Sequence, residues 1–241
     1  MEKVEWGWVL MGKPKRMDRW LRDWKSRCTG VHVINNKAHD SFGIPGSNAY
    51  FEFSGYLEVL NCMKTEGPYI IANDTWFKTH NASLWSGLLK KFRESNPMDT
   101  AIYGDIRREV SPFAEKPSPY LSSWIFYIPD RTRLVQFQAC LEKAIASALQ
   151  GEFSADYLAY VEDWLQPQNF LYGWHTPSKD PGILERKRLC IYMEHQLNVE
   201  LLKTGIHFVS LGEKLRVHYA LLRWVDRLQT RLNAWGFYPF V

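Results

Sequence analysis

Residues 67–75 read Gly-Pro-Tyr-Ile-Ile-Ala-Asn-Asp-Thr: an unbroken apolar run from Pro68 to Ala72, closed by Gly67 on one side and by Asn73-Asp74 on the other. Without alternation of apolar and polar residues, both faces of such a strand are buried, as in a parallel sheet covered by helices on each side. Working outward, Val4 to Met11 is a Val- and Trp-rich strand that stops at Gly12. Pro14 then opens a helix at its tolerated first position, with Met17, Trp20, Leu21 and Trp24 on one face. Val31 to Ile34 forms a second strand, ending at Asn35-Asn36. Past a loop with Gly43, Pro45 and Gly46, Ser47 or Asn48 caps a helix to about Thr65 that Gly55 weakens. A helix at 83–94 and a strand at 100–104 follow the quoted run. Strand, helix, strand, helix, strand in this order predicts a mostly parallel sheet flanked by helices, an α/β fold with right-handed crossovers.

The second half is mainly helical. Residues 105–120 carry Pro112, Pro117 and Pro119 without a period and read as a long loop, and 123–128 is a further strand. Helices are predicted at 131–150 after Asp130, at 154–165 after Ser154, and at 181–204 after Asp180-Pro181, the last stopped by Gly205. A short strand at 206–210 and a helix at 213–234 complete the chain. Residues 1–130 are expected to form an α/β half that binds a ligand, and 131–241 a helical half of the same domain.

Composition narrows the class. The chain has 241 residues, 46% of them hydrophobic, which excludes disorder and low-complexity architectures and allows a real core. No window approaches the ~18 apolar residues of a membrane-spanning helix. The opening Met1-Glu-Lys-Val-Glu lacks the order of a signal peptide, so a soluble, cytoplasmic protein is expected. A net charge of +4 is too mild for a nucleic-acid footprint. The four cysteines are scattered and read as reduced, mostly buried thiols. Eleven tryptophans suit sugar faces and membrane interfaces as well as ordinary cores.

In open α/β sheets, ligands bind at the carboxyl ends of strands. Two polar turns occupy that position, Asn35-Asn36 with Asp40, and Asn73-Asp74-Thr75. A carboxylate directly after an apolar strand offers a hard oxygen ligand to Mg²⁺ or Mn²⁺ beside a diphosphate, though it equally caps the next segment.

The stretches GVHVINN (30–36), IPGSNAYFEFSGYLEVLN (44–61) and EGPYIIANDT (66–75) together resemble the donor-binding half of GT-A glycosyltransferases. The resemblance is greatest to the small bacterial enzymes that build O-antigen, capsule and rhamnan polysaccharides, and it covers about residues 4–130, weaker to about 210. It implies a GT-A-like, Rossmann-related fold and a sugar-nucleotide donor. Asn35 and Asn36 would face the base and ribose with Asp40 nearby, Asn48 would lie near the donor, and Asp74 would meet the metal and diphosphate. Two departures stand out. Asn35 replaces the Asp of many relatives, and Asn73-Asp74 has no second acid, so the divalent metal is held weakly or is dispensable.

An inverting transferase also needs a carboxylate to take the acceptor's proton. Glu194 lies on a stripe with Ile183, Cys190, Leu197 and Leu201, where burial raises a carboxyl pKa towards that of a base. An ion pair with Arg186, Lys187 or Arg188 suits the same position. Asp105, after the strand at 100–104, is the second candidate, and Glu162-Asp163 remain to be tested. The histidines His80, His175, His195, His207 and His218 show no metal-ligand spacing and read as surface or packed residues. Nucleophile-elbow, P-loop and G-x-G-x-x-G motifs are absent from the sequence.

In the last helix, Leu221, Val225, Leu228, Leu232 and Trp235 form a stripe flanked by Lys214, Arg216, Arg223, Arg227 and Arg231, with Glu213 and Asp226 the acids. Such a helix over 213–235 either lies on an anionic membrane surface or docks on its own domain with a solvated cationic face. The expectation is a glycosyltransferase, inverting and moving a hexosyl or deoxyhexosyl group to a glycan or polyprenyl-linked acceptor, peripheral at the inner face of the plasma membrane. The alternatives are another nucleotide-dependent transferase, such as a methyltransferase, and a non-catalytic module that binds a membrane or partner.

Overall fold

The computed structural model describes residues 3–37, 39–78, 80, 82–94, 101–166, 173–174, 180–211 and 216–234. Its centre is a seven-stranded sheet: β1 (Val4–Leu10), β2 (Cys28–Asn35), β3 (Ile44–Pro45), β4 (Tyr69–Asn73), β5 (Ile102–Arg107), β6 (Tyr120–Ile128) and β7 (Phe208–Ser210). The strand order is β3-β2-β1-β4-β6-β5-β7. Only β6 runs against its neighbours; the other pairings are parallel. The chain therefore moves outward from β1 through β2 to β3, then returns to the other side of β1 as β4. That reversal is a topological switch point, where ligands collect beyond the carboxyl ends of the strands.

The helices are α1 (Met17–Trp24), α2 (Glu52–Cys62), α3 (Thr75–Lys78), α4 (Ala82–Glu94), α5 (Arg131–Gln150), α6 (Ala155–Leu165), α7 (Pro181–Lys203) and α8 (Arg216–Ala234). Three caps read from the sequence are in place: Asp130 accepts from the Arg133 N–H, Ser154 from Tyr157, and Asp180 from Gly182 and Ile183. Gly205, at φ +70°, closes α7 as a left-handed residue just beyond the helix.

Alternating side chains of β1 send Trp6 and Trp8 to one face and Val9 to the other. On the first face Trp6 stacks on Trp20 and Trp24, at 4.6 and 5.0 Å between centroids, and Trp76, Trp85 and Trp124 extend the cluster towards α8. These tryptophans are core residues rather than a sugar platform. On the second face α2, α5, α6 and α7 pack over Val9, Ile71 and Phe126. A Cβ on Gly55 would meet Val9 Cγ1 at 2.4 Å, and one on Gly7 would meet the Met63 and Val59 side chains at 2.6 and 2.8 Å. The glycine that lowers helix propensity in α2 is thus what lets α2 settle onto β1.

Several boundaries differ from the sequence reading. α1 begins at Met17, whose N–H is bound by the Pro14 carbonyl, so Pro14 lies in the preceding turn. α2 begins at Glu52, and neither Ser47 nor Asn48 caps it; its N-cap is Phe51, which offers no side-chain cap. Phe51 and Asn48 instead hold left-handed φ values of +45° and +50°. Asp105 lies inside β5 rather than after it, because pairing with β6 extends that strand through a bulge to Arg107. No described helix is long and apolar enough to cross a membrane. The cysteines Cys28, Cys62, Cys140 and Cys190 are free.

α8 shows a larger difference. Leu222 and Asp226 face inward, while Leu221, Trp224 and Leu228 are 58%, 61% and 40% exposed. The expected apolar stripe is therefore an outer face, and Arg223, Arg227 and Arg231 line a cleft instead of flanking it on the surface. Glu213, Lys214, Trp235 and His175 lie outside the described residues, as do the side chains of Arg216, His218 and Leu232.

Candidate active site

The carboxyl end of β4 opens into a cleft of about 630 Å³. α7 supplies one wall through Lys187, Cys190, Ile191 and Glu194, and α8 the other through Arg223, Asp226, Arg227 and Arg231. Asn73, Thr75, Glu52, Arg107 and Ser122 to Trp124 form its floor and ends. Since β6 is antiparallel to β4, the beginning of β6 lies beside the end of β4 and brings Ser123 into the site.

Glu194 is fixed by that strand. Its Oε1 accepts the Ser123 N–H at 2.7 Å, and one turn later Asn198 accepts from Leu121 N and donates to Leu121 O, at 2.6 and 2.9 Å. Residues four apart on one helix face thus clamp strand positions two apart. Burial pushes the Glu194 carboxyl above the usual range, against the lowering effect of the Ser123 hydrogen bonds. Among the described residues no Lys or Arg lies within 4.0 Å of Glu194. Of the three cations considered as partners, Arg188 pairs with Glu162 and Glu185, Arg186 sits over the Phe51 ring, and Lys187 lies 4.0 Å from Glu52. Burial lowers the Lys187 pKa, but Glu52, with smaller contributions from Glu194 and Asp74, outweighs it and keeps the ammonium charged.

Tyr56, fully buried behind the cleft, carries no motif that marks it in the sequence. Its hydroxyl accepts from Asn73 Nδ2 at 2.9 Å and donates to the Ser123 carbonyl at 2.5 Å. A continuous bridge runs from the end of β4 through Tyr56 and the Ser123 backbone to Glu194.

Asp105 is almost fully buried; its Oδ2 accepts from Trp124 Nε1 at 3.0 Å and Arg223 at 3.1 Å and forms an ion pair with Arg107 at 3.3 Å. It lies behind the cleft as the shared counter-ion of two arginines that face it. Asp226 is likewise occupied, by His80 Nδ1 at 2.6 Å and Trp85 Nε1 at 2.9 Å. His195 is packed against the Tyr157 hydroxyl, and burial pushes its pKa down to about 3, so it is a neutral core residue.

The residues of the first polar turn divide. Asn35 is consumed locally: its Oδ1 accepts from Gly12 and Lys37 N–H groups and its Nδ2 donates to Phe42 O. Asp40 accepts from the Phe42 N–H, which lowers its pKa. Asn36 donates to Phe51 O, but among the described residues its buried Oδ1 meets no partner, and the same holds for Asn48 Oδ1 and Glu58 Oε2. A Cβ on Gly46 would lie 2.1 Å from Asn36 Oδ1 and 3.1 Å from Glu58 Oε2, so two of these acceptors converge. Asn35, Asn36, Asp40 and Asn48 are not in the cleft lining; they occupy the adjoining end of β2 and the loop to α2, joined to the cleft through residues 50–52.

Asp74 lies between the cleft residues Asn73 and Thr75, with its Oδ2 2.5 Å from Lys78 Nζ. Asn73 is committed to the Thr75 N–H and to Tyr56. A hard divalent cation needs several converging oxygens, and here one carboxylate carries an ammonium of its own. Among the described residues no group of three His, Cys, Asp or Glu side chains is arranged to hold a metal. These residues do not fit a protein-held metal ion.

No protein-family model, no curated protein and no solved structure matches the chain.

Proposed function

We propose that this protein is a GT-A-like, inverting glycosyltransferase that moves a sugar from a nucleotide donor to an acceptor hydroxyl, with Glu194 as general base. The observation that carries this reading is the position of Glu194: a carboxylate with a raised pKa, held by the Ser123 N–H, in the same cleft as the end of β4. Chemically, the acceptor oxygen forms a bond to the anomeric carbon as its proton passes to Glu194. The bond from that carbon to the diphosphate breaks, and its electron pair leaves on the diphosphate oxygen. A base whose pKa lies nearer the working pH than an ordinary carboxylate suits this proton transfer. Asn36 Oδ1 and Asn48 Oδ1, buried beside the cleft and unpaired among the described residues, are the acceptors this reading assigns to N–H or O–H groups of the donor's base and ribose.

The acceptor is a glycan or a polyprenyl-linked glycan of bacterial surface-polysaccharide synthesis, met in the cytoplasm at the membrane face. Contact with the bilayer falls to Leu221, Trp224 and Leu228, since Arg223, Arg227 and Arg231 turn to the cleft. The sheet alone also suits a methyltransferase, but a base poised in the cleft favours transfer to a hydroxyl. Thermal-shift titration with sugar nucleotides, nucleoside diphosphates and S-adenosylmethionine tests the class. Stabilisation by a sugar nucleotide and its diphosphate is expected, and stabilisation by S-adenosylmethionine alone overturns the reading.

A further inference from the structure

Resting on the reading of the cleft as a sugar-nucleotide site, we propose that its diphosphate is held by an arginine wall built from β5 and α8, which supplies the positive charge that a divalent cation would otherwise bring. Arg223, Arg227 and Arg231 follow one another at four-residue intervals, so they rise along one face of α8, and all three line the cleft. Arg107, from the end of β5, lies beside the first of them, because both form ion pairs with the same buried oxygen, Asp105 Oδ2. One carboxylate shared by two guanidinium groups fixes both in place yet neutralises only one. Each guanidinium has five N–H donors in a planar fork, so most remain available to phosphate oxygens.

The opposite wall adds the charged Lys187. Five cations therefore line the cleft against the carboxylates Glu52, Glu194 and Asp226, and Asp226 is already engaged by His80 and Trp85. The acidic turn that would hold a metal is covered by Lys78 at Asp74. The positive charge of this cleft belongs to the protein. A diphosphate ester reaches such a wall from either of two sources, the nucleotide donor or a polyprenyl diphosphate-linked acceptor.

The test is calorimetric titration of the intact chain with UDP, GDP, dTDP, inorganic pyrophosphate and a short prenyl diphosphate, in EDTA and again in Mg²⁺. The variant is Arg227→Gln/Arg231→Gln, at exposed positions, with Arg19→Gln on α1 as control and circular dichroism to verify folding. At least one nucleoside diphosphate is expected to bind about equally in EDTA and in Mg²⁺, and the double variant to lose ~10-fold or more while the control loses nothing. Binding should weaken as salt rises. Nucleoside diphosphate binding that requires Mg²⁺ and ignores the double substitution overturns the wall while the donor reading stands. Arginine-dependent binding of pyrophosphate and prenyl diphosphate, with no nucleoside diphosphate bound, upholds the wall with the acceptor as its source and removes the donor reading. If none of the diphosphates binds, the wall is overturned.

Discussion

The Ser123 N–H points at Glu194 Oε1 across 2.7 Å, joining the antiparallel strand β6 to the middle of α7. This contact does two things at once. It anchors α7 to the sheet, as Asn198 does at Leu121, and it holds a carboxylate at the cleft with one oxygen engaged. Glu194→Gln keeps an oxygen for the Ser123 amide but cannot take a proton. The variant is expected to fold, to bind the diphosphate as wild type does, and to transfer sugar at least ~100-fold more slowly. Single-turnover rates beside donor titrations check this, and near-wild-type turnover removes Glu194 from the chemistry.

The raised pKa of Glu194 has a signed consequence for both rate and stability. The base acts when ionised, so the acid limb of the rate profile should lie above 4.5, the ordinary value. Between 4.5 and the raised folded value, the native carboxyl keeps a proton that the unfolded chain has released. Stability from this group is thus lost as pH climbs through that window. Relative to wild type, Glu194→Gln should gain stability across the window and hold the gain at neutral pH. Urea unfolding of both proteins over a pH series measures the difference; a Gln variant that loses stability at neutral pH contradicts it.

Tyr56→Phe removes the bridge between Asn73 and Ser123 and leaves buried polar groups unpaired. A loss of roughly 1–3 kcal/mol in unfolding free energy is expected. Because Ser123 also orients Glu194, kcat should fall more than KM rises. Chemical denaturation and steady-state kinetics read the two effects separately.

Gly55→Ala sets helix propensity against packing. Alanine favours a helix interior by about 1 kcal/mol over glycine, but the new methyl would stand 2.4 Å from Val9 Cγ1. Overpacking of that kind costs about 1–3 kcal/mol, so net destabilisation is expected. Adding Val9→Ala should recover part of the loss, which a double-mutant cycle by thermal denaturation will show.

The outer face of α8 predicts a surface effect. Replacing Leu221, Trp224 and Leu228 by serine should weaken sedimentation with anionic vesicles and leave diphosphate binding in place, because these side chains point away from the cleft. Equal sedimentation of the variant and the wild type excludes this face as the membrane contact.

The order of the longer elements was legible in the sequence because it depends on local physics, whereas the two-residue β3 and the four-residue α3 are too short to carry a period. The unbroken Pro68–Ala72 run marked a strand buried on both faces, and Asp130, Ser154 and Asp180 marked helix starts through side chains that reach only three residues ahead. Asn36, Asp74 and Glu194 were visible as polar residues at strand ends or on an apolar helix face. What each then does was set by residues far away in the chain. Asp105 reads as a free carboxylate after a strand until Arg223, 118 residues later, arrives to share it with Arg107. The arginines of α8 read as a flank facing either a membrane or solvent, since helical periodicity gives spacing around an axis but not which side meets the domain. Leu222 and Asp226 decided that orientation by packing against the tryptophan cluster and His80, and in doing so turned Arg223, Arg227 and Arg231 into the cleft. Local sequence thus determined the longer elements and their order. Long-range burial and charge pairing, which no short window contains, decided which of their faces became a site.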